Sequence, residues 1–142
     1  MSQINQSQVK KAISQYLLEE EQMVAIGVFK RVPATSHLLL TRGMAWIFAK
    51  EFYVGVTDRR LIILPGSKPK RGEGFGEEPI FADFDQVAFY TDPLNNTILD
   101  VQKIFQGVPL KLRFKTGFQF EGMNQFDFIA AVKQGKSISA EK

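Results

Sequence analysis

The chain has 142 residues, of which 44% are hydrophobic and 23% charged, with a formal net charge of +3. At that length one compact domain is the default, and it buries roughly two-thirds of its unfolded surface without staples. No cysteine is present, which excludes disulfides and thiolate chemistry and permits a reducing cytoplasm.

The basic residues are scattered among acidic ones rather than gathered into the dense face of a nucleic-acid binder, so no nucleic-acid partner is expected. Thirteen phenylalanines stand against one tryptophan and three tyrosines. Phenylalanine buries a large area with no polar atom to satisfy, which suits a packed sheet core.

The opening stretch, from Met1 to Gln8, has no basic region followed by an apolar run. No secretory signal is read there, and a cytoplasmic location is expected. Val9, Ala12, Ile13, Tyr16 and Leu17 recur at the spacing of an amphipathic helix, with Ser7 as its N-cap and its end near Glu19 to Glu21. Those three carboxylates read as a solvated helix end. No histidine or second carboxylate cluster is placed to complete a metal site.

Met23 to Val32 reads as the first strand, stopped by Pro33. Thr35 to Lys50 is ambiguous. A helix starting near Thr35 or Ser36 is the first choice, and a hairpin turning at Arg42-Gly43 is the alternative, because short apolar runs do not separate the two. The apolar part holds an arginine and is well short of the ~20 residues that a bilayer-crossing helix needs.

Phe52 to Leu64 organises the rest of the chain. Phe52 to Val56 is aromatic and β-branched, Thr57 to Arg60 forms a tight turn, and Leu61 to Leu64 is apolar on both faces. The side chains of Thr57 and Asp58 can bond the turn backbone. Either Arg59 or Arg60 can fix the turn by pairing with a carboxylate. Pro65-Gly66 ends the second arm.

A glycine- and proline-rich loop, Gly66 to Pro79, carries Lys68, Lys70 and Arg71. Strands are expected at Ile80 to Asp83, Gln86 to Asp92, Thr97 to Phe105, Val108 to Lys115 and, briefly, Phe118 to Glu121. In Val108 to Lys115, leucine and phenylalanine alternate with lysine and arginine, so one face is buried and one is wet. Asn124 caps a last helix with Asp127 in its first turn, and Gly135 ends it as a C′ residue. Residues 1–22 are thus an N-terminal helix packed on the domain, 23–135 the domain itself, and 136–142 a flexible tail.

Chemistry is sparse. His37 is the only histidine, and no nucleophile elbow surrounds any serine. His37 is read as a surface or cap-region residue. Gly72 to Gly76 leads into Glu77-Glu78-Pro79 instead of a helix start, so it lacks the N–H cradle that phosphate binding needs. Asp83 and Asp85, two apart, fit a solvated bend better than a paired-carboxylate site. Neither cofactor nor metal is expected.

The run from Val54 to Leu64, with Thr-x-x-Arg-Leu at Thr57 to Leu61, resembles the central hairpin of bacterial pleckstrin-homology-like (PH-like) domains. Pro79 to Val87 and Asn124 to Lys133 resemble further parts of those domains, in the same order. The resemblance implies a mainly β (α+β) fold: a PH-like antiparallel β-barrel or sandwich of about seven strands, a C-terminal capping helix and an added N-terminal helix. It implies a non-enzymatic binding module, since no catalytic motif carries over.

Two uses follow as expectations. The first is protein–protein interaction or self-association, through a surface holding Trp46, Phe48 and Phe52. The second is peripheral binding to anionic membrane lipid through Lys68, Lys70 and Arg71. At about 1 kcal/mol each, those three bias orientation at a membrane without anchoring the protein there.

Overall fold

The structure is a computed structural model that describes residues 6–32, 51–66, 78–93, 95–105, 108–115, 120 and 123–140. Within them lie a helix α1 (Gln6–Ser14), strands β1 (Met23–Arg31), β2 (Glu51–Thr57), β3 (Leu61–Pro65), β4 (Ile80–Ala82), β5 (Val87–Thr91), β6 (Thr97–Phe105) and β7 (Val108–Phe114), and a helix α2 (Gln125–Ala140). The expected mainly β architecture is present: one antiparallel sheet of seven strands, curled, with a helix at each end of the chain.

The strand order is β4-β3-β2-β1-β7-β6-β5. Strands consecutive in the chain pair antiparallel, apart from β4 and β5, and β1 also pairs with β7 (Phe29 opposite Phe114, Arg31 opposite Leu112), which joins the two halves. β4 and β5 are the two ends of the sheet, yet only Asp83 and a 3-10 turn, Phe84–Gln86, separate them in the chain. Four residues span at most about 14 Å, so the sheet has to roll until its ends approach.

Strand alternation sorts the side chains to two faces. The concave face gathers Ala25, Phe29, Phe52, Val54, Val56, Leu61, Ile63, Leu99, Val101, Leu110, Leu112 and Phe114 into the main core. α2 closes it with Phe128 and Val132, both fully buried. Phe128 meets Phe29 and Phe114 edge-on, at centroid distances of 5.2 and 5.7 Å. On the convex face a second core joins Ile26, Tyr53, Ile62 and Leu64 to Val9, Ala12 and Ile13 of α1, with Phe120. β3 is apolar on both faces for this reason: the sheet covers one side and α1 the other. Gly55 sits beneath the helix, where a Cβ would lie 2.7 Å from Cγ2 of Ile13.

Both helices differ in length from the expectation. α1 stops at Ser14, short of Glu19 to Glu21. The N–H groups of Tyr16 and Leu17 turn back to Ile13 and Ser14 carbonyls at 3.1 Å each, a tighter winding typical of helix ends. α2 passes through Gly135 and runs to Ala140, so Gly135 is no C′ residue and the expected tail from Lys136 is helical as far as Ala140. Gly135 serves packing: the Phe84 ring occupies the space a Cβ would need.

Asn124 does cap α2. Its Oδ1 accepts from the N–H groups of Phe126 (2.9 Å) and Asp127 (3.1 Å), and its own N–H donates to Asp127 Oδ2 (3.0 Å). The expected strand at Phe118 to Glu121 is represented by an isolated bridge between Phe120 and Met123, its other residues lying outside the described set. The helix-or-hairpin choice at Thr35 to Lys50 falls wholly outside it.

Candidate functional site

The best-built polar cluster lies at the turn between β2 and β3. Thr57 organises it, as its sequence position suggests. Its hydroxyl accepts from the N–H groups of Arg59 and Arg60, each at 3.0 Å, and donates to Oε2 of Glu21 at 2.7 Å. Arg60 pairs with the same carboxylate through Nε to Oε2 and Nη2 to Oε1, both 3.1 Å. It also donates from Nη2 to the Tyr16 carbonyl at 2.9 Å. Its guanidinium lies 4.4 Å from the Phe81 ring centroid, and that ring meets Tyr16 edge-on.

Arg60 is therefore the turn arginine that finds a carboxylate, and Glu21 is its partner. The side chain of Glu21 is fully buried, so the expected solvated end holds for Glu19 and Glu20 alone. Burial pushes the Glu21 carboxyl up. The Arg60 hydrogen bonds, the Leu18 N–H and the Thr57 hydroxyl outweigh it and hold the group below the usual carboxylate range. The cluster bonds inward, with the Thr57 hydroxyl and Nε and Nη2 of Arg60 all donating to acceptors of the protein. It is a clamp between the chain after α1 and the central hairpin, reinforced where Gln22 and Asp58 exchange hydrogen bonds.

A second cluster lies at the other end of β2. Tyr53 donates to Glu51 Oε2 at 3.1 Å, and Lys115 pairs with Glu51 Oε1 at 2.8 Å. Burial, then the Glu51 charge and its hydrogen bond, raise the Tyr53 hydroxyl above its ordinary value, so it stays protonated. The pair at Lys115 is half exposed and contributes little to stability.

The sequence-derived site residues fare unevenly. Phe52 is fully buried in the main core, opposite Phe29, and cannot belong to an exposed interaction surface. The strand pairing that buries it on the concave face is the reason. Trp46, Phe48, Lys68, Lys70, Arg71, His37 and the Gly72 to Gly76 run lie outside the described residues.

Asp83 opens the 3-10 turn. Its N–H donates to Gln86 Oε1 at 3.0 Å, and the Gln86 N–H returns to the Asp83 carbonyl at 2.9 Å. Asp85 follows it, exposed. The solvated bend is the arrangement seen. No group of three potential metal ligands occurs among the described residues, and no helix among them is long and apolar enough to cross a membrane.

Strand ends fix where the undescribed connections attach. β1 ends at Lys30-Arg31 beside the start of β2 at Glu51, and β3 ends at Pro65 opposite Phe52. The connections carrying Trp46 and Phe48, and Lys68, Lys70 and Arg71, therefore leave from one end of the sheet. The tight turn at Thr57 to Arg60 forms the opposite end of the same strands. Strand periodicity shows this juxtaposition only once the pairing order is known. No protein-family model matches the chain, and no curated protein matches it.

Proposed function

We propose that the protein is a non-catalytic binding module of the PH-like kind that works in the cytoplasm by protein–protein contact, self-association included. The observation that carries this reading is the strand order, with the sheet ends joined through Asp83 to Gln86 and one face closed by α2. It is the architecture that the resemblance at Val54 to Leu64 led one to expect. Function passes from fold by analogy alone, since folds of this sort host several kinds of recognition. Loops on a rigid scaffold are the usual carriers of binding, which keeps Trp46 and Phe48 as anchors after Phe52 drops out.

A photo-crosslinking residue placed at position 46 or 48 of the full chain tests the reading in cells. Adducts to a second polypeptide are expected from both positions. A second reading, peripheral binding to anionic membrane lipid through Lys68, Lys70 and Arg71, is favoured by the attachment of their loop at the sheet end where β1 closes on Lys30-Arg31. Salt-sensitive co-sedimentation with anionic vesicles, without polypeptide adducts, would replace the first reading by the second.

A further inference from the structure

We propose that α1 is exchanged between two copies of this chain, each helix crossing over to pack on the sheet of the other in a two-fold dimer. The inference rests on the self-association reading and gives it a route and a site.

α1 packs as a unit apart from the main core. Val9, Ala12 and Ile13 meet Ile26, Tyr53, Ile62 and Leu64 on the convex side, away from the cluster that α2 closes. The α1 of a second copy makes the same contacts, so exchange keeps them. Only the link from Ser14 to β1 distinguishes the closed chain from the exchanged one. Exchange is favoured where such a link is short and strained.

This link is both. Leu18 to Glu21 is a tight turn, closed by the Glu21 N–H on the Leu18 carbonyl at 3.0 Å. Within it Glu20 holds φ at 68°, a left-handed backbone that disfavours any residue with a Cβ. Opening the turn releases that strain.

Arg60 fastens both ends of the link. Its Nη2 donates to the Tyr16 carbonyl at 2.9 Å and to Glu21 Oε1 at 3.1 Å. On exchange Glu21 stays with its own Arg60, because the bonds between Gln22 and Asp58 tie the start of β1 to the same turn. Tyr16 travels with α1 and reaches Arg60 of the other copy, so each Arg60 binds both chains. Tyr16 and Glu21 are five residues apart, about 18 Å at full extension. The two turns at Thr57 to Arg60 must therefore face one another at close range.

That placement identifies the occupant as a second copy. Three of the exposed large apolar side chains among the described residues border this clamp. Leu18 bonds Glu21 through its N–H, Phe81 lies under Arg60, and Val24 follows Met23, which is opposite Thr57. The span of the link brings all three, from both copies, to the contact. Glu19, Glu20 and Arg59 are exposed on the same rim, so the contact is not of one sign.

The chain has no cysteine, so Ile13→Cys with Gly55→Cys reports the exchange directly. A Cβ at Gly55 would lie 2.7 Å from Cγ2 of Ile13, which puts the two Cβ atoms within about 4.2 Å, in disulfide range. The full chain is refolded from urea at low and high concentration and then oxidised. A closed chain locks as a monomer and an exchanged pair as a covalent dimer. Covalent dimers that increase with the refolding concentration are expected. Sedimentation of cysteine-free chains follows the hinge. Glu20→Gly, which eases the closed turn, should weaken dimerisation at least about fivefold. Deleting Glu19 and Glu20, which leaves the link too short for the turn, should make the dimer the main species. Locking within single chains at every concentration overturns the inference, and so does a dimer whose bridges are all intramolecular. A deletion variant that sediments as a folded monomer overturns it too, even if the cysteine variant fails to fold. Crosslinks at positions 46 and 48 from chains locked only within themselves would leave the interaction reading standing and remove exchange from it.

Discussion

Arg60 shows how one residue sets the terms for its neighbours. Its guanidinium satisfies both oxygens of a carboxylate buried beneath it, and Glu21 has no water to fall back on. Arg60→Ala is expected to destabilise the fold by about 3–5 kcal/mol, because it strands a buried charge. Replacing the pair together, as Glu21→Leu with Arg60→Met, should recover most of that loss; urea midpoints of the native chain and the two variants give the comparison. The pair also has a pH signature. Glu21 titrates below its unfolded value of about 4.3, so its stabilisation is complete above that value and lost as pH falls through the lower folded one. The stability gap between the native chain and Glu21→Gln should therefore be widest near neutral pH and shrink below about pH 4. Parallel urea titrations across that range would show it, and a gap independent of pH would mean that the carboxylate is not the group responsible.

Elements differ in how far their sequences announce them. The central hairpin was legible because β-branching, turn chemistry and a proline stop agree over Phe52 to Pro65. The alternation in Val108 to Phe114 was legible for the same reason, with Leu110, Leu112 and Phe114 all buried. The ends of both helices were not. Gly135 carries the usual mark of a helix stop, yet the residue that decides its role is Phe84, far away in sequence. Glu21 looked solvated beside Glu19 and Glu20, and the arginine that claims it is 39 positions distant. Of the interaction surface, only Phe52 falls on described residues, and there aromatic character signalled core, not contact. Gly135 gives a test with an unusual sign. Glycine to alanine inside a helix ordinarily gains about 0.5–1 kcal/mol. Here Gly135→Ala should lose stability, because the new methyl meets the Phe84 ring. In a Phe84→Leu background the loss should shrink or reverse, as thermal melts of the four proteins would register. A second seat, under α1, should behave alike. Gly55→Ala is expected to cost about 1–3 kcal/mol by overpacking against Ile13, and less once Ile13→Ala has made room.

For the whole molecule, what matters is that one helix closes the concave face of a curled sheet whose end strands, β4 and β5, do not pair with each other. β1 and β7 hold the two halves together along only a short ladder, from Phe29 opposite Phe114 to Arg31 opposite Leu112. Phe29, Phe114 and Phe128 converge there, with Phe29 and Phe114 at 4.5 Å and the α2 ring set across both. Phe128 thus acts on the joint between the halves as well as on the core beneath it. Phe128→Ala is expected to cost about 3–5 kcal/mol, the usual range for removing a buried aromatic ring. Phe126, two residues earlier on the same helix and 70% exposed, supplies the control: Phe126→Ala should change stability by no more than about 0.5 kcal/mol. Hydrogen exchange separates the joint from the core. If α2 fastens the halves, amides at Phe29 to Arg31 and Leu112 to Phe114 should open together in Phe128→Ala, ahead of the ladder between β2 and β3. Uniform loosening of all strands would instead make Phe128 an ordinary core residue, and the closure would then rest on the roll of the sheet and the short link from β4 to β5.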